Sequence, residues 1–399
     1  MTPLAKRDPT APFSHYCGTR EAPRVLFVGE AWGQSEEMLQ APFIGHSGKE
    51  LFRMFGDAAI APGESYTRVK RAIYAGDELF LALREAWLRE SNIGLTNVFN
   101  LRPQDNKLEA LCGPGGKGIA FAGRVLPPLV RSPKHAYVRE EFCGHLARLR
   151  EEVQVAKPNL VVTLGAASLW GLTAALRLPQ PPGSHSEIRG TTQPGPPKFL
   201  PTFHPAYVLR QWSARTVTVA DLVKSWRESV TANFTRPSRN VLISPELRDI
   251  HEWGAKHIRP GVRLSCDIET KGGQITSVGF ATSPREAVVI PFIEVAGDAP
   301  VYRSYWRTAA DEREAWGFVR EFLASPAPKV FQNGLYDIQW LLRRGIRITN
   351  VAEDTMLLHH AIHPEMRKGL GFLGSIYTSE PSWKLMRKRA GDEGDKAEE

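Results

Sequence analysis

The residues best placed to do chemistry fall into two groups. In the C-terminal half, Asp267 and Glu269 of the run DIET alternate with Ile268, so on a strand both carboxylates face one side. Paired acids are costly unless a cation joins them, which is the logic of a two-metal phosphoryl-transfer site. A further run, NGLYD over residues 333–337, supplies Asn333, Tyr336 and Asp337, and EDT over 353–355 supplies Asp354. In the N-terminal half, polar residues stand in or after short apolar runs. Gly29 and Glu30 follow VLFV, Asn97 lies in LTNVF, and His204 follows LPTF.

The elements that must carry these residues alternate along the first half. Residues 24–29, 95–99, 160–164 and 198–202 are short, β-rich and apolar, as buried strands are. Residues 49–55, 79–89 and 142–153 have helical spacing. Strands alternating with helices predict a mostly parallel sheet with helices on both faces. Ligands bind such sheets beyond the carboxyl ends of the strands, which is where the loops with Glu30 and His204 fall. The stretch 179–197, rich in proline, glycine and serine, is expected as a surface loop, and CGPGGKG at 112–118 as a flexible basic turn. That turn lacks the GxxxxGK[ST] spacing of a phosphate-binding loop.

From residue 262 the pattern changes to three consecutive strands, with a turn at 283–286. A helix (312–323), a strand (329–332) and another helix (336–344) follow. The expected organisation is a flexible leader (1–20), an α/β domain (21–232), a linker (233–261), a second α/β domain (262–385) and a charged tail (386–399).

Composition sets wide bounds. A chain of 399 residues can bury two or three cores. No apolar run approaches the roughly 20 residues a bilayer requires, so no membrane association is expected. The formal net charge of +8 favours a polyanionic partner.

Four N-terminal segments carry a resemblance: VLFVGEAWGQSEEMLQAPFIGHSGKEL (25–51), LTNVFNLRP (95–103), PNLVVTLGAASLWGL (158–172) and FLPTFHPAYVLR (199–210). In this order they resemble the uracil-DNA glycosylase superfamily, most closely its iron–sulfur-type branch. The resemblance implies a three-layer α/β/α domain that acts on DNA, flipping uracil from the stack and hydrolysing its N-glycosidic bond. Phe43 would stack on the flipped base, and Asn97 would pair with uracil but not with cytosine, whose polarity is opposite there. His204 would donate an imidazole N–H to the departing base. Glu30 would position water or support the cationic transition state. Gly29, Gly33, Gly45 and Gly48 would permit close backbone approach to base and phosphate. Tyr207 and Leu209 would fill the gap left in the DNA, with Arg210 on a phosphate. Blander readings are a core phenylalanine at 43, a turn-capping asparagine at 97 and a plain turn histidine at 204. Trp32 replaces the family's proline, which would narrow the pocket, add a DNA-stacking surface or mark a divergent specificity.

The four cysteines, Cys17, Cys112, Cys143 and Cys266, include no closely spaced pair, and Leu101 stands where the family has a ligating cysteine. No iron–sulfur cluster is expected. The run from 262 to 383 resembles the 3′–5′ proofreading exonuclease domains of family A DNA polymerases, which are RNase H-like. That resemblance implies magnesium or manganese at Asp267, Glu269 and Asp337, with Asn333 and Tyr336 positioning substrate and Asp354 in a supporting role. The family's third exonuclease motif, a tyrosine with an aspartate four residues on, is absent. Together the two resemblances imply a uracil-excising DNA repair or replication protein of the cytoplasm of a bacterium or phage-infected cell. Its partners would be DNA and a DNA polymerase, encoded separately or as a continuation of this chain. The alternatives are a catalytically impaired, uracil-sensing DNA-binding module and a nuclease whose first domain contributes only its fold.

Overall fold

The structure is a computed structural model that describes residues 7–113, 118–130, 135–179, 181, 184–236, 238–296 and 301–380. The charged tail at 386–399, the end of the second domain and the first six leader residues lie outside these. The described residues form two compact units: one holds those up to Phe234 together with those from Gly371 onward, the other those of Thr235–Leu370.

The first unit is built on a five-stranded sheet of order β1-β3-β2-β4-β5. β2 (Val25–Ala31), β3 (Ile93–Phe99), β4 (Leu160–Leu164) and β5 (Phe199–Thr202) are parallel, and β1 (Cys17–Gly18) pairs antiparallel with β3. The central strands read as continuous apolar runs because both faces are covered. Val25 and Phe27 of β2 point into one core with Phe52, Phe55 and Trp87. Leu26 and Val28 point into the other with Leu146, Leu149 and Trp170. Helix α1 (Gln34–Leu39) follows β2; α2 (His46–Asp57), α3 (Glu64–Ala72) and α4 (Asp77–Glu90) supply the first core, and α5 (Cys143–Ala156) and α6 (Ala166–Leu176) the second. This is the expected α/β/α sandwich.

Three expectations need correction. The leader is not loose throughout: His15, Tyr16 and Cys17 are buried, and β1 lies within 1–20. The stretch 179–197 is no plain surface loop, because it contains the turn of helix α7 (His185–Ile188) and buries Arg189, Thr191 and Thr192. Asp221 draws Arg189 inward, its Oδ2 lying 3.1 Å from Arg189 Nε. The stretch 233–261 is more than a linker, for it includes the strand β6 (Asn240–Leu242) and the helix α10 (Leu247–His257). Ile250 and Trp253 of α10 belong to the second unit's core.

The second unit has a six-stranded mixed sheet. β7 (Leu264–Lys271), β8 (Gln274–Ser283) and β9 (Glu286–Pro291) form an antiparallel meander. A small hairpin, β10 (Ile293–Ala296) with β11 (Val301–Ser304), follows. β12 (Lys329–Phe331) then joins β7 in parallel, and β13 (Val351–Asp354) joins β12 in parallel. Helix α11 (Ala309–Ala324) precedes β12, α12 (Gly334–Arg343) links β12 to β13, and α13 (Thr355–Ile362) follows β13. The sheet order is β6-β9-β8-β7-β12-β13. Buried and exposed residues alternate along β7, so Asp267 and Glu269 stand on its exposed side. Among the described residues no helix is long and apolar enough to cross a membrane.

Candidate active site

The carboxyl ends of β2, β3 and β5 carry the first unit's candidate residues. Gly29 pairs in register with Asn97 across β2 and β3. A Cβ added at Gly29 would lie 2.1 Å from Asn97 Oδ1 and 2.5 Å from Phe43 Cζ. Only a glycine therefore lets the carboxamide and the aromatic ring meet over the strand end. Asn97 is only 2% exposed, yet its side-chain amide bonds no group among the described residues. An amide held unpaired in this way is suited to a ligand with complementary groups.

Phe43 sits with φ +57°, in the left-handed region, where an aromatic residue needs external support. Two neighbours supply it. Arg84 Nη1 donates to the Phe43 carbonyl at 2.9 Å. Gly48 lies against the same peptide, where a Cβ would come within 2.1 Å of the carbonyl carbon. The adjoining loop is gathered by Glu36, whose carboxylate accepts from the backbone N–H groups of Gly33 (3.1 Å), Ile44 (2.9 Å) and Gly45 (2.8 Å).

His204 caps the N-terminus of α8 (Pro205–Arg210), with Pro205 at the first helical position. Its Nδ1 accepts from the Ala206 N–H at 3.1 Å, which leaves the proton of the neutral ring on Nε2. Burial pushes the imidazole down to about 4, with the charges of Arg210 and His185 adding to the effect. The ring is thus a neutral N–H donor at pH 7. Gly165, at φ +93°, allows the loop after β4 to approach it, since a Cβ there would stand 3.0 Å from His204 Cβ. Burial raises the Glu30 carboxyl, Arg210 opposes that shift, and Glu109 reinforces it. Tyr207, Leu209 and Arg210 are exposed on α8.

The buried pair Arg148–Glu152 went unnoticed in the sequence. Arg148 Nη1 bonds Glu152 Oε2 (2.6 Å) and Thr96 Oγ1 (3.0 Å), while Nη2 bonds the carbonyls of Asn97 and Val98. The guanidinium therefore holds the backbone at the very end of β3. Trp32 is 5% exposed and edge-on to His15, with ring centroids 4.7 Å apart. It forms a wall of the fold, not a DNA-facing surface.

A family model described as "Uracil DNA glycosylase superfamily" matches residues 17–228, just over half of the chain. The chain belongs to the uracil-DNA glycosylase superfamily. One relative is the type-4 uracil-DNA glycosylase of Thermotoga maritima, 24% identical over 206 residues, which covers 51% of this chain and 76% of that protein. The resemblance to the iron–sulfur-type branch raises the question of a cluster in this superfamily member. Its cysteines do not suit one. Cys17 Sγ lies 3.5 Å from Arg84 Nη2, and burial pushes its thiol up to about 11. Cys112 bonds the Leu108 carbonyl, and Cys266 belongs to the other unit. Among the described residues no three His, Cys, Asp or Glu side chains gather closely enough to hold a metal ion.

Asp337 Oδ1 accepts from the Ile268 N–H at 2.8 Å, and burial with nearby Asp267 pushes its carboxyl up to about 6. Asp267 and Glu269 share the exposed side of β7. Asp354 is occupied by backbone, accepting from the N–H groups of Asn333, Gly334, Met356 and Leu357. Tyr336 OH meets Thr270 Oγ1 at 2.5 Å, and Asn333, at φ +58°, caps α12. Asp337 feels the charges of Asp267 and Asp354, so these carboxylates are neighbours.

Proposed function

We propose that the first unit excises uracil from DNA by hydrolysing the N-glycosidic bond. The observation that carries this reading is the meeting of the Asn97 amide and the Phe43 ring over Gly29. An aromatic face and one carboxamide match the flat ring and adjacent C=O and N–H groups of uracil. Cytosine would leave the amide mispaired, and an unsatisfied buried group costs about 1–3 kcal/mol. His204 Nε2–H would donate to the anionic leaving base, and its neutrality at pH 7 suits a donor that must not carry its own charge through the step. Glu30, near the carboxyl end of β2, would support the sugar cation or orient water, and Gly45 would let the backbone approach the substrate. Tyr207, Leu209 and Arg210 would meet the DNA around the flipped nucleotide.

For the second unit, an RNase H-like domain of the proofreading exonuclease type is supported by its topology: an antiparallel meander followed by parallel strands, with Asp267 on the strand they share. We assign this unit DNA holding, with Asp267, Glu269 and Asp337 as the residues that would hold magnesium or manganese. A polymerase partner belongs to this reading.

The test is to incubate the full chain in EDTA with end-labelled DNA bearing one uracil, then cleave abasic sites with alkali. Breakage at the uracil is expected, falling about a hundredfold in His204→Ala. Wild-type protein that binds the DNA but leaves it intact would overturn the glycosylase reading in favour of a uracil-sensing module.

A further inference from the structure

Next to the α8 loop lies an aromatic surface that the excision reading does not use. Trp212, just beyond the end of α8, is 62% exposed, and Tyr74, after α3, is 75% exposed. Each ring is backed by an arginine. The Arg215 guanidinium lies 5.1 Å from the Trp212 ring centroid, and that of Arg53 lies 5.3 Å from Tyr74. Both arginines are anchored on one carboxylate, Glu50 of α2, which is itself buried. Glu50 Oε1 is 2.8 Å from Arg215 Nε, and Oε2 is 3.1 Å from Arg53 Nη1. Asp57 Oδ2 takes Arg215 Nη2 at 2.6 Å. Glu50 thus fixes two arginines, each of which steadies an exposed ring. Lys70 and Arg71 add exposed positive charge at the end of α3, close in sequence to Tyr74.

An exposed ring whose orientation is fixed offers a face on which a planar group can stack. Planar rings steadied by arginines, with Lys70 and Arg71 close in sequence to Tyr74 and Trp212 just past the helix that His204 caps, fit the flat faces of unpaired bases and a phosphate backbone. A duplex keeps its bases stacked on one another and offers no faces to these rings.

We propose that Trp212 and Tyr74 form a platform for single-stranded DNA, stacking unpaired bases that flank the nucleotide in the Phe43–Asn97 pocket. Single-stranded DNA is then the preferred substrate of the first unit. The proposal rests on the glycosylase reading for the identity of the pocket but not for the platform itself.

The experiment uses the full chain and a uracil-free, fluorescein-labelled oligo(dT) of about 15 nucleotides, a length near the upper end for one single-strand binding site. Fluorescence anisotropy at low salt should show Trp212→Ala and Tyr74→Ala each weakening binding by about tenfold, with Trp212→Phe within about threefold of wild type. Binding of the same sequence as a duplex should change by less than about twofold in all three. Ultraviolet cross-linking of an oligonucleotide carrying 5-iododeoxyuridine, mapped by mass spectrometry, should mark Trp212 or Tyr74. This second readout keeps the test decisive if the other unit also binds DNA. Unchanged oligo(dT) binding with no cross-link at either ring would overturn the platform, as would equal losses on single strand and duplex. Because the DNA lacks uracil, failure of excision would sink only the activity proposed above.

Discussion

Replacing Arg148 by methionine tests whether a buried charge holds the end of β3. Arg148 and Glu152 are both fully buried, and the guanidinium also bonds Thr96 and the carbonyls of Asn97 and Val98. Methionine would fill much of the volume but leave the Glu152 carboxylate with only the Thr96 hydroxyl and the Phe13 N–H. Removing one partner of a buried pair costs about 3–5 kcal/mol, because the other charge stays behind. For a unit of this size each kcal/mol is worth roughly 2–4 °C, so Arg148→Met should melt roughly 6–20 °C below wild type.

Glu152→Met should cost a comparable amount, and the double variant should recover more than half of either loss, since no lone charge then remains. Recovery should be incomplete, because two carbonyls at the end of β3 would still lack their donor. Calorimetric melts of the wild type and the three variants are the assay. Single variants within about 2 °C of wild type, or a double variant showing the sum of both losses, would refute the reasoning. Below its melting temperature, Arg148→Met should also excise uracil more slowly, because the peptide that carries Asn97 has lost its anchor.

Acid should destabilise the first unit. His145, His185 and His204 are all pushed down to about 4 by burial, whereas an unfolded histidine titrates near 6.5. Between those values the unfolded chain binds more protons, so stability is full above about pH 6.5 and is lost as pH falls towards 4. Asp221, pushed up to about 6, works in the opposite direction and offsets part of this. Melting temperatures measured from pH 7 to pH 4.5 should therefore fall, and a flat profile would contradict the buried, neutral state of the three rings. In the pocket, Gly29→Ala would drive a methyl group into Asn97 Oδ1 and the Phe43 ring. It should cut the excision rate by about a hundredfold, as ångström-scale misplacement does, while uracil-free duplex binding holds within about twofold. Wild-type excision by this variant would show that the ring and the amide do not read the base.

The four parallel strands of the first unit were legible because burial on both faces turns them into apolar runs between turn residues. Helix α9 (Ala214–Glu228) was not, for the reverse reason. Its core-facing side carries Thr218, Asp221, Lys224 and Ser225, so the apolar periodicity that marks a helix is missing. Lys224 is buried because its ammonium bonds the carbonyls of Gly190, Ser375 and Thr378, the last two supplied by α14 (Leu370–Tyr377) and the residue after it. No local pattern announces a partner so far along the chain. In the same way, Arg148 and Glu152 look in sequence like a solvated i,i+4 pair on a helix face. The pocket was easier to read, since Gly29, Asn97 and His204 each lie at a strand end. What the sequence concealed was how close Gly29 allows the first of these strands to come to Phe43.

A common device then accounts for the shape of the site. Backbone beyond a strand end has no ladder to satisfy its polar groups, and leaving them unpaired in a buried place is expensive. Here each stretch is satisfied by a side chain whose charge is buried behind it. Glu36 accepts from three amides around the Phe43 loop, Arg84 donates to the Phe43 carbonyl, and Arg148 donates to two carbonyls at the end of β3. None of the three needs to touch a base. Each pins the peptide of a residue that would, and a charged hydrogen bond does so more stiffly than a neutral one. Shape at this pocket is therefore carried by ionic residues that an inventory of DNA-contacting groups would omit. Substitutions at Glu36, Arg84 or Arg148 should impair base recognition as strongly as substitutions in the pocket itself.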